Sequence, residues 1–122
     1  MCSVILSMKP YWGRKILKGE KTAEIRKSMP RRSGGGPFRV YLYETKEGRG
    51  AVIGECVCYC ADQIQDYSIV AMFSLLSVPE LVAYAGSRKI YAWFLAKVVR
   101  YQDPQPLSAF GLKRAPQSWC YV

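Results

Sequence analysis

The 122 residues include no histidine, so the side chain that most often moves protons near neutral pH is missing. Any acid–base chemistry would fall to lysine, glutamate or tyrosine. Acidic residues are scarce too, nine against eighteen lysines and arginines. No apolar run approaches the roughly 20 residues that a membrane-crossing helix needs. The five cysteines are odd in number and lack the C-x-x-C turn of zinc knuckles, which argues against a disulfide framework and against structural zinc. Internal repeats, low-complexity tracts and long linkers are also missing, so one domain spanning residues 1–122, with a single core, is expected. The opening Met1-Cys2-Ser3-Val4-Ile5-Leu6-Ser7-Met8 has no basic n-region and reads as a strand, not a secretion signal. With the cysteine usage, this points to the reducing cytoplasm. No cofactor, metal or membrane partner is expected, and the oligomeric state is left open.

What is present is a chain that should fold: half of its residues are apolar and 22% are charged. The net charge of +9 is unevenly spread. From Lys9 to Arg39 ten basic residues face only Glu20 and Glu24, a net +8; residues 40–87 sum to −4, and residues 88–122 return to +5. A concentrated positive field suits an anionic partner, because phosphates reward clustered rather than scattered charge.

Hydrophobic periodicity supplies the elements. Val4–Ser7 is a short strand. Pro10 suits the first turn of a helix over Tyr11–Lys18, with Trp12 and Ile16 four apart on its apolar face and Gly19 as its cap. Ala23 and Ile25 alternate with Thr22, Glu24 and Arg26, the period of a half-buried strand. The segment Arg31-Arg32-Ser33-Gly34-Gly35-Gly36-Pro37 is a loop. Phe38, Val40 and Leu42 mark a third strand, and Ala51–Cys60 a fourth. Tyr67–Ser77 leans to helix, and Pro79 opens another ending near Gly86. Ile90, Ala92, Phe94, Ala96 and Val98 alternate in a long strand over Lys89–Tyr101, ended by Asp103-Pro104-Gln105-Pro106, and Ser118–Val122 closes the chain as a sixth. About six strands and two or three short helices make an α+β, mainly β architecture of small-barrel type.

Several segments, in order, carry a family resemblance. Leu6-Ser7-Met8-Lys9-Pro10, a helix, and then Gly19-Glu20-Lys21-Thr22-Ala23-Glu24-Ile25-Arg26 resemble the S-x-K-P start and G-x-K-T-x-E-x-R element of the ASCH family, a branch of the PUA-like superfamily. Val40–Thr45 with Gly50–Glu55 is similar to the hairpin that follows, and Lys113–Val122 resembles endings of small bacterial and phage members. The resemblance implies a PUA-like β-barrel whose cleft, between barrel and helices, is lined partly by the G-x-K-T-x-E-x-R segment. It also implies a link to RNA, since related PUA-like domains bind RNA and some ASCH proteins act on RNA or modified nucleosides.

On that basis Lys9, Tyr11, Lys21, Thr22, Arg26, Arg31, Arg32 and Tyr43 are the candidate contacts to RNA or a nucleotide in a basic cleft. The alternative is a small enzyme on RNA or a modified nucleoside, with Lys21 and Glu24 as its catalytic pair. ASCH-fold amidohydrolases that deacylate N-acylated cytidine are similar here and use a lysine, a threonine and a more distant glutamate. Lys21 matches the lysine, the threonine position holds Glu24, and Glu80, the only glutamate of the helix that Pro79 opens, is the candidate for the distant one. A third class is a protein-interaction domain whose basic face meets an acidic partner. Spacing alone permits a simpler reading, a structural Glu24–Arg26 ion pair with Lys21 solvated. Cys56, Cys58 and Cys60, at spacing two on a strand, share one face and read as a core stripe, zinc being the lesser reading. Lys89, Tyr91, Trp93, Lys97 and Tyr101 share the second face of the long strand, either as a stacking surface or covered by a helix. Trp12 is placed in the core beside Ile16.

Overall fold

In the computed structural model, which describes residues 2–122, strand β1 (Ser3–Met8) is buried along almost its whole length. Both of its faces are covered. Val4, Leu6 and Met8 enter the main core, while Ile5 faces a second layer built by Tyr43, Val52 and the chain from Leu107 onward. A short extended strand without polar alternation is what burial on two sides produces.

Helix α1 (Pro10–Leu17) starts on the expected proline and buries Gly13 and Ile16. Gly19, at φ 76°, turns the chain back, and its N–H donates to the Ile16 carbonyl. The left-handed cap costs a glycine little. The chain then enters β2 (Ala23–Arg26), a strand of four residues. After the glycine loop come β3 (Phe38–Glu44) and β4 (Ala51–Gln63), then helices α2 (Tyr67–Ser74) and α3 (Val78–Ala85), and β5 (Tyr91–Gln105). Helix α3 carries a full capping box between Ser77 and Glu80. A 3-10 turn at Leu107–Phe110 and β6 (Trp119–Tyr121) complete the chain.

The six strands form one curled sheet in the order β2-β5-β4-β3-β1-β6. Only β1 and β3 run parallel, with Ser7 opposite Tyr43 and Met8 opposite Glu44. Phe38, Val40, Cys56, Cys58, Trp93 and Leu95 fill the hollow of the curl. Helices α2 and α3 cover its outer face over β2 and β5, where Ile25, Val70, Leu81, Ile90 and Ala92 meet. No helix among the described residues is long and apolar enough to cross a membrane.

The sheet's two end strands have no ladder between them, yet one guanidinium spans the gap. Arg26, on β2, donates to the Ser118 carbonyl at 3.2 Å, the Ser118 hydroxyl at 3.0 Å and the Ser7 carbonyl at 2.7 Å. Trp119 reinforces the seam, its Nε1–H donating to Ser28 Oγ at 3.0 Å. The barrel is therefore shut by side chains, not by a strand ladder.

The sheet corrects three sequence expectations, the first of them through a bulge. Cys58 pairs with Leu95 but Cys60 with Phe94, so β4 carries one extra residue there. The extra residue turns Cys60 outward while Cys56 and Cys58 stay buried, because an inserted residue reverses the face of everything beyond it. On β5 both faces are covered: Trp93, expected on a second face that stacks a ligand or lies under a helix, is fully buried inside the curl, and Ala92, expected in the core, lies beneath the helices. Strand β5 also runs through Asp103–Gln105 instead of ending there.

Candidate functional site

A cavity of about 620 Å³ opens between α1, α3, β2 and the segment before β6. Its lining is polar and aromatic: Trp12, Lys21, Glu24, Arg26, Glu80, Tyr84, Gln117 and Ser118, with Ile25, Leu76 and Ala83. Glu80, Ala83 and Tyr84 fall at i, i+3 and i+4 on α3, the spacing that puts them on one helix face. Glu24 and Arg26 are two apart on β2 and so point the same way.

Lys21 sits at the centre, 2% exposed. Its ammonium donates to the Ser74 carbonyl, lies 3.6 Å from Glu24 Oε1 and stands 4.6 Å from the centroid of the Trp12 ring. Burial pulls its pKa below the ordinary lysine value, opposed by the Glu24 charge. Glu24, itself buried, also accepts from Arg26 at 2.9 Å and from the Ile25 N–H at 3.1 Å. Across the cavity, the backbone N–H of Ser77 donates to Glu80 and lowers its pKa, so the carboxylate stays ionised. Burial raises the Tyr84 pKa, and the Lys27 ammonium stands 4.8 Å over the Tyr84 ring. The result is a charge-balanced hollow, two cations facing two carboxylates between aromatic walls.

The structure brings Lys21, Glu24 and Arg26 together and scatters the other expected contacts. Thr22 is held by its backbone, its N–H donating to Phe73 and its carbonyl accepting from Leu95, and its side chain does not line the cavity. Lys9 is the residue before α1 and lies exposed. Tyr11 is 55% exposed and packs edge-on against Trp12. Arg31 stacks on Tyr91 and lines a separate hollow with Gly34, Gly35 and Asp62. Arg32 lies 4.0 Å over the Tyr121 ring. Tyr43 is buried beside a different cavity, with Lys46, Lys113 and Arg114.

Trp12, read from sequence as a core residue, stands instead at the cavity wall, half-buried. Tyr84, Gln117 and Ser118 were not singled out either. The α3 spacing of Glu80 and Tyr84 was the available signal for one of them; Gln117 and Ser118 arrive from the far end of the chain and had none. Cys56 and Cys58 take no part, since burial pushes both thiols up to about 12. Among the described residues no group of three or more cysteine, aspartate or glutamate side chains is placed to hold a metal ion.

A curled mixed sheet of six strands with three helices, seamed beside a helix-covered cavity, defines a PUA-like half-barrel. Residues 6–105 match the model of the ASCH domain, and the chain belongs to that family. Among solved structures it is similar to ASCH from Zymomonas mobilis, with a TM-score of 0.79 at 22% identity over 98% of this chain and 87% of that one. A serine-to-alanine variant of the same bacterial protein superposes equally well, with a TM-score of 0.78. The N-terminal domain of Staphylothermus marinus McrB is more distant, with a TM-score of 0.53 and 13% identity over 88% of this chain and 77% of that one. No curated protein matches. At these identities the likeness establishes the fold, not the ligand.

Proposed function

We propose that the protein binds RNA or a nucleotide by taking one unpaired base into the cavity between α1, α3 and β2. The observation that carries this reading is the pairing of two aromatic walls, Trp12 and Tyr84, with polar groups that can read a base edge: Glu24, Arg26, Gln117 and Ser118. Single-stranded bases are recognised in this way, by stacking on aromatics and hydrogen bonding at their edges. A volume near 620 Å³ lies in the range of small-molecule sites. The charge balance favours a neutral, polar heterocycle over a bare phosphate, because Glu24 and Glu80 together offset the charges of Lys21 and Arg26.

The test is titration of nucleosides and of a random RNA pool at low salt, followed by tryptophan fluorescence and calorimetry. Trp12→Ala is expected to weaken binding by about tenfold or more, the loss of one base–aromatic stack, and Glu24→Gln to change the preferred base. Failure of every nucleoside and of the RNA pool to bind at low salt overturns the reading.

One observation favours a second reading, an enzyme on the bound nucleoside. Glu80 shares the cavity with Lys21 and Glu24, and Lys21 has a lowered pKa, which suits proton transfer. In that case Lys21→Met abolishes turnover of an N-acylated cytidine or an RNA while ligand still binds to the Glu80→Gln variant. Absence of turnover at high enzyme concentration retires it.

A further inference from the structure

Beside the base cavity lies a second hollow of about 480 Å³, at the ends of the parallel strands β1 and β3. Lys46, Lys113 and Arg114 line it, and no carboxylate does. Among the described residues none of these three cations takes part in an ion pair. Thr45 lines it as well, and its Oγ1 is the one side-chain polar atom among the described residues that is buried without a hydrogen-bond partner. A buried hydroxyl left unpaired is unfavourable, and rotation between staggered χ1 wells can offer it to an acceptor in the hollow. Uncompensated cations around a concave surface, with a hydroxyl at its floor, are the chemistry of a phosphate site.

The two hollows share a wall. Gln117 lines both, and the segment Pro116–Ser118 separates them. Ser7 pins that segment: its hydroxyl donates to the Pro116 carbonyl at 2.7 Å, and its N–H donates to the Ser118 carbonyl at 2.9 Å. The carbonyl of the same serine accepts from Arg26 on the base side. The partition is therefore one held segment thick, with neutral, aromatic-walled space on one side and unpaired positive charge on the other.

We propose that the Thr45–Lys46–Lys113–Arg114 hollow is a phosphate subsite that holds a phosphate of the nucleotide whose base enters the first cavity. The nucleotide half of this assignment rests on the base-binding reading; the phosphate half does not. Together the two hollows sort a ligand by its parts, the first selecting the heterocycle and the second supplying affinity for the backbone.

Isothermal titration at constant ionic strength would compare a nucleoside, its 5′- and 3′-monophosphates and inorganic phosphate, on the wild type, a Lys113→Ala/Arg114→Ala variant, Thr45→Val and an Arg31→Ala/Arg32→Ala control. One monophosphate is expected to bind about tenfold or more tightly than the nucleoside, the scale of one or two charge-assisted hydrogen bonds. The Lys113→Ala/Arg114→Ala variant erases that advantage and leaves nucleoside affinity unchanged. Thr45→Val weakens phosphate binding by a few fold while raising the melting temperature of the free protein, since it deletes an unpaired hydroxyl. The arginine control changes neither. If inorganic phosphate binds and the double variant abolishes it while no nucleoside binds at all, the base reading fails and the phosphate subsite stands. A monophosphate no better than its nucleoside, or an advantage that survives loss of Lys113 and Arg114, or that the arginine control erases equally, overturns the subsite.

Discussion

Lys21 is a lysine almost wholly withdrawn from water, and its surroundings only partly compensate it. Its pKa falls below the ordinary 10.5 chiefly through desolvation, with Glu24 pulling the other way. The consequence for stability has a definite sign. Below the folded pKa both states hold the proton, and the desolvation penalty is constant. Between the folded pKa and 10.5 the unfolded chain binds a proton that the folded chain has released, so stability rises with pH across that window. The difference in urea unfolding free energy between wild type and Lys21→Met cancels the other titrating groups. It is expected to shift toward the wild type as pH is raised from neutrality toward 10.5. A flat difference over that range would show that the ammonium is not desolvated as its contacts imply. Sequence singled out Lys21 as a candidate through the G-x-K-T element, and it does line the cavity. Its burial was not, because the Ser74 carbonyl that receives it lies 53 residues away.

Among the elements, α1 and the β4–β5 pair make opposite demands on glycine. Gly54 on β4 faces β5 so closely that a Cβ would stand 2.5 Å from the Val99 carbonyl oxygen and 2.8 Å from Leu17. The first of these is backbone and cannot step aside. Gly54→Ala is expected to cost about 2–3 kcal/mol, the upper range for overpacking. Gly13 lies inside α1, where a Cβ would meet only the flexible ends of Ile53 and Met8, both at 3.4 Å. There alanine should add up to about 1 kcal/mol from helix propensity. Denaturant unfolding of both variants checks the pair, and equal effects would refute the packing argument. The same pairing of β4 and β5 explains which elements the sequence revealed. Period-two alternation located β2, β3 and β5 and 3.6-residue periodicity located α1, because each pattern reports one buried face. It misassigned Cys60 and Trp93, because the register shifts along β4–β5 and both faces of β5 are covered. Alternation cannot distinguish a bulge from a continuous strand, nor a helix-covered face from a wet one.

At the scale of the whole molecule, linear charge clustering proved a poor guide to spatial clustering. The ten basic residues from Lys9 to Arg39 run through α1, β2 and the glycine loop into β3, and the curl of the sheet turns these segments to different sides. Of the ten, only Lys21 and Arg26 reach the cavity between α1, α3 and β2; three cations that sequence had not grouped, Lys46, Lys113 and Arg114, meet in the neighbouring hollow. The sheet order sets the second strand and the last at opposite ends, the curl brings them near each other, and Arg26 bonds across the gap. A guanidinium is suited to that task, because its planar fork serves several acceptors at once, which an ammonium cannot reproduce. Arg26→Lys, conservative in charge, should therefore cost about 2–3 kcal/mol through lost charge-assisted bonds. The loss should be localised. Hydrogen exchange is expected to quicken at the Ser7 amide, which donates to the same Ser118 carbonyl that Arg26 holds from across the seam, while amides pairing β3 with β4 keep their protection. Because the Pro116–Ser118 segment that Arg26 and Ser7 hold walls both hollows, the same variant should weaken nucleoside and phosphate binding together, unlike Lys113→Ala/Arg114→Ala, which affects phosphate alone. Exchange that quickens evenly across all six strands would mean that the barrel is held shut by its core, with Arg26 only decorating the gap.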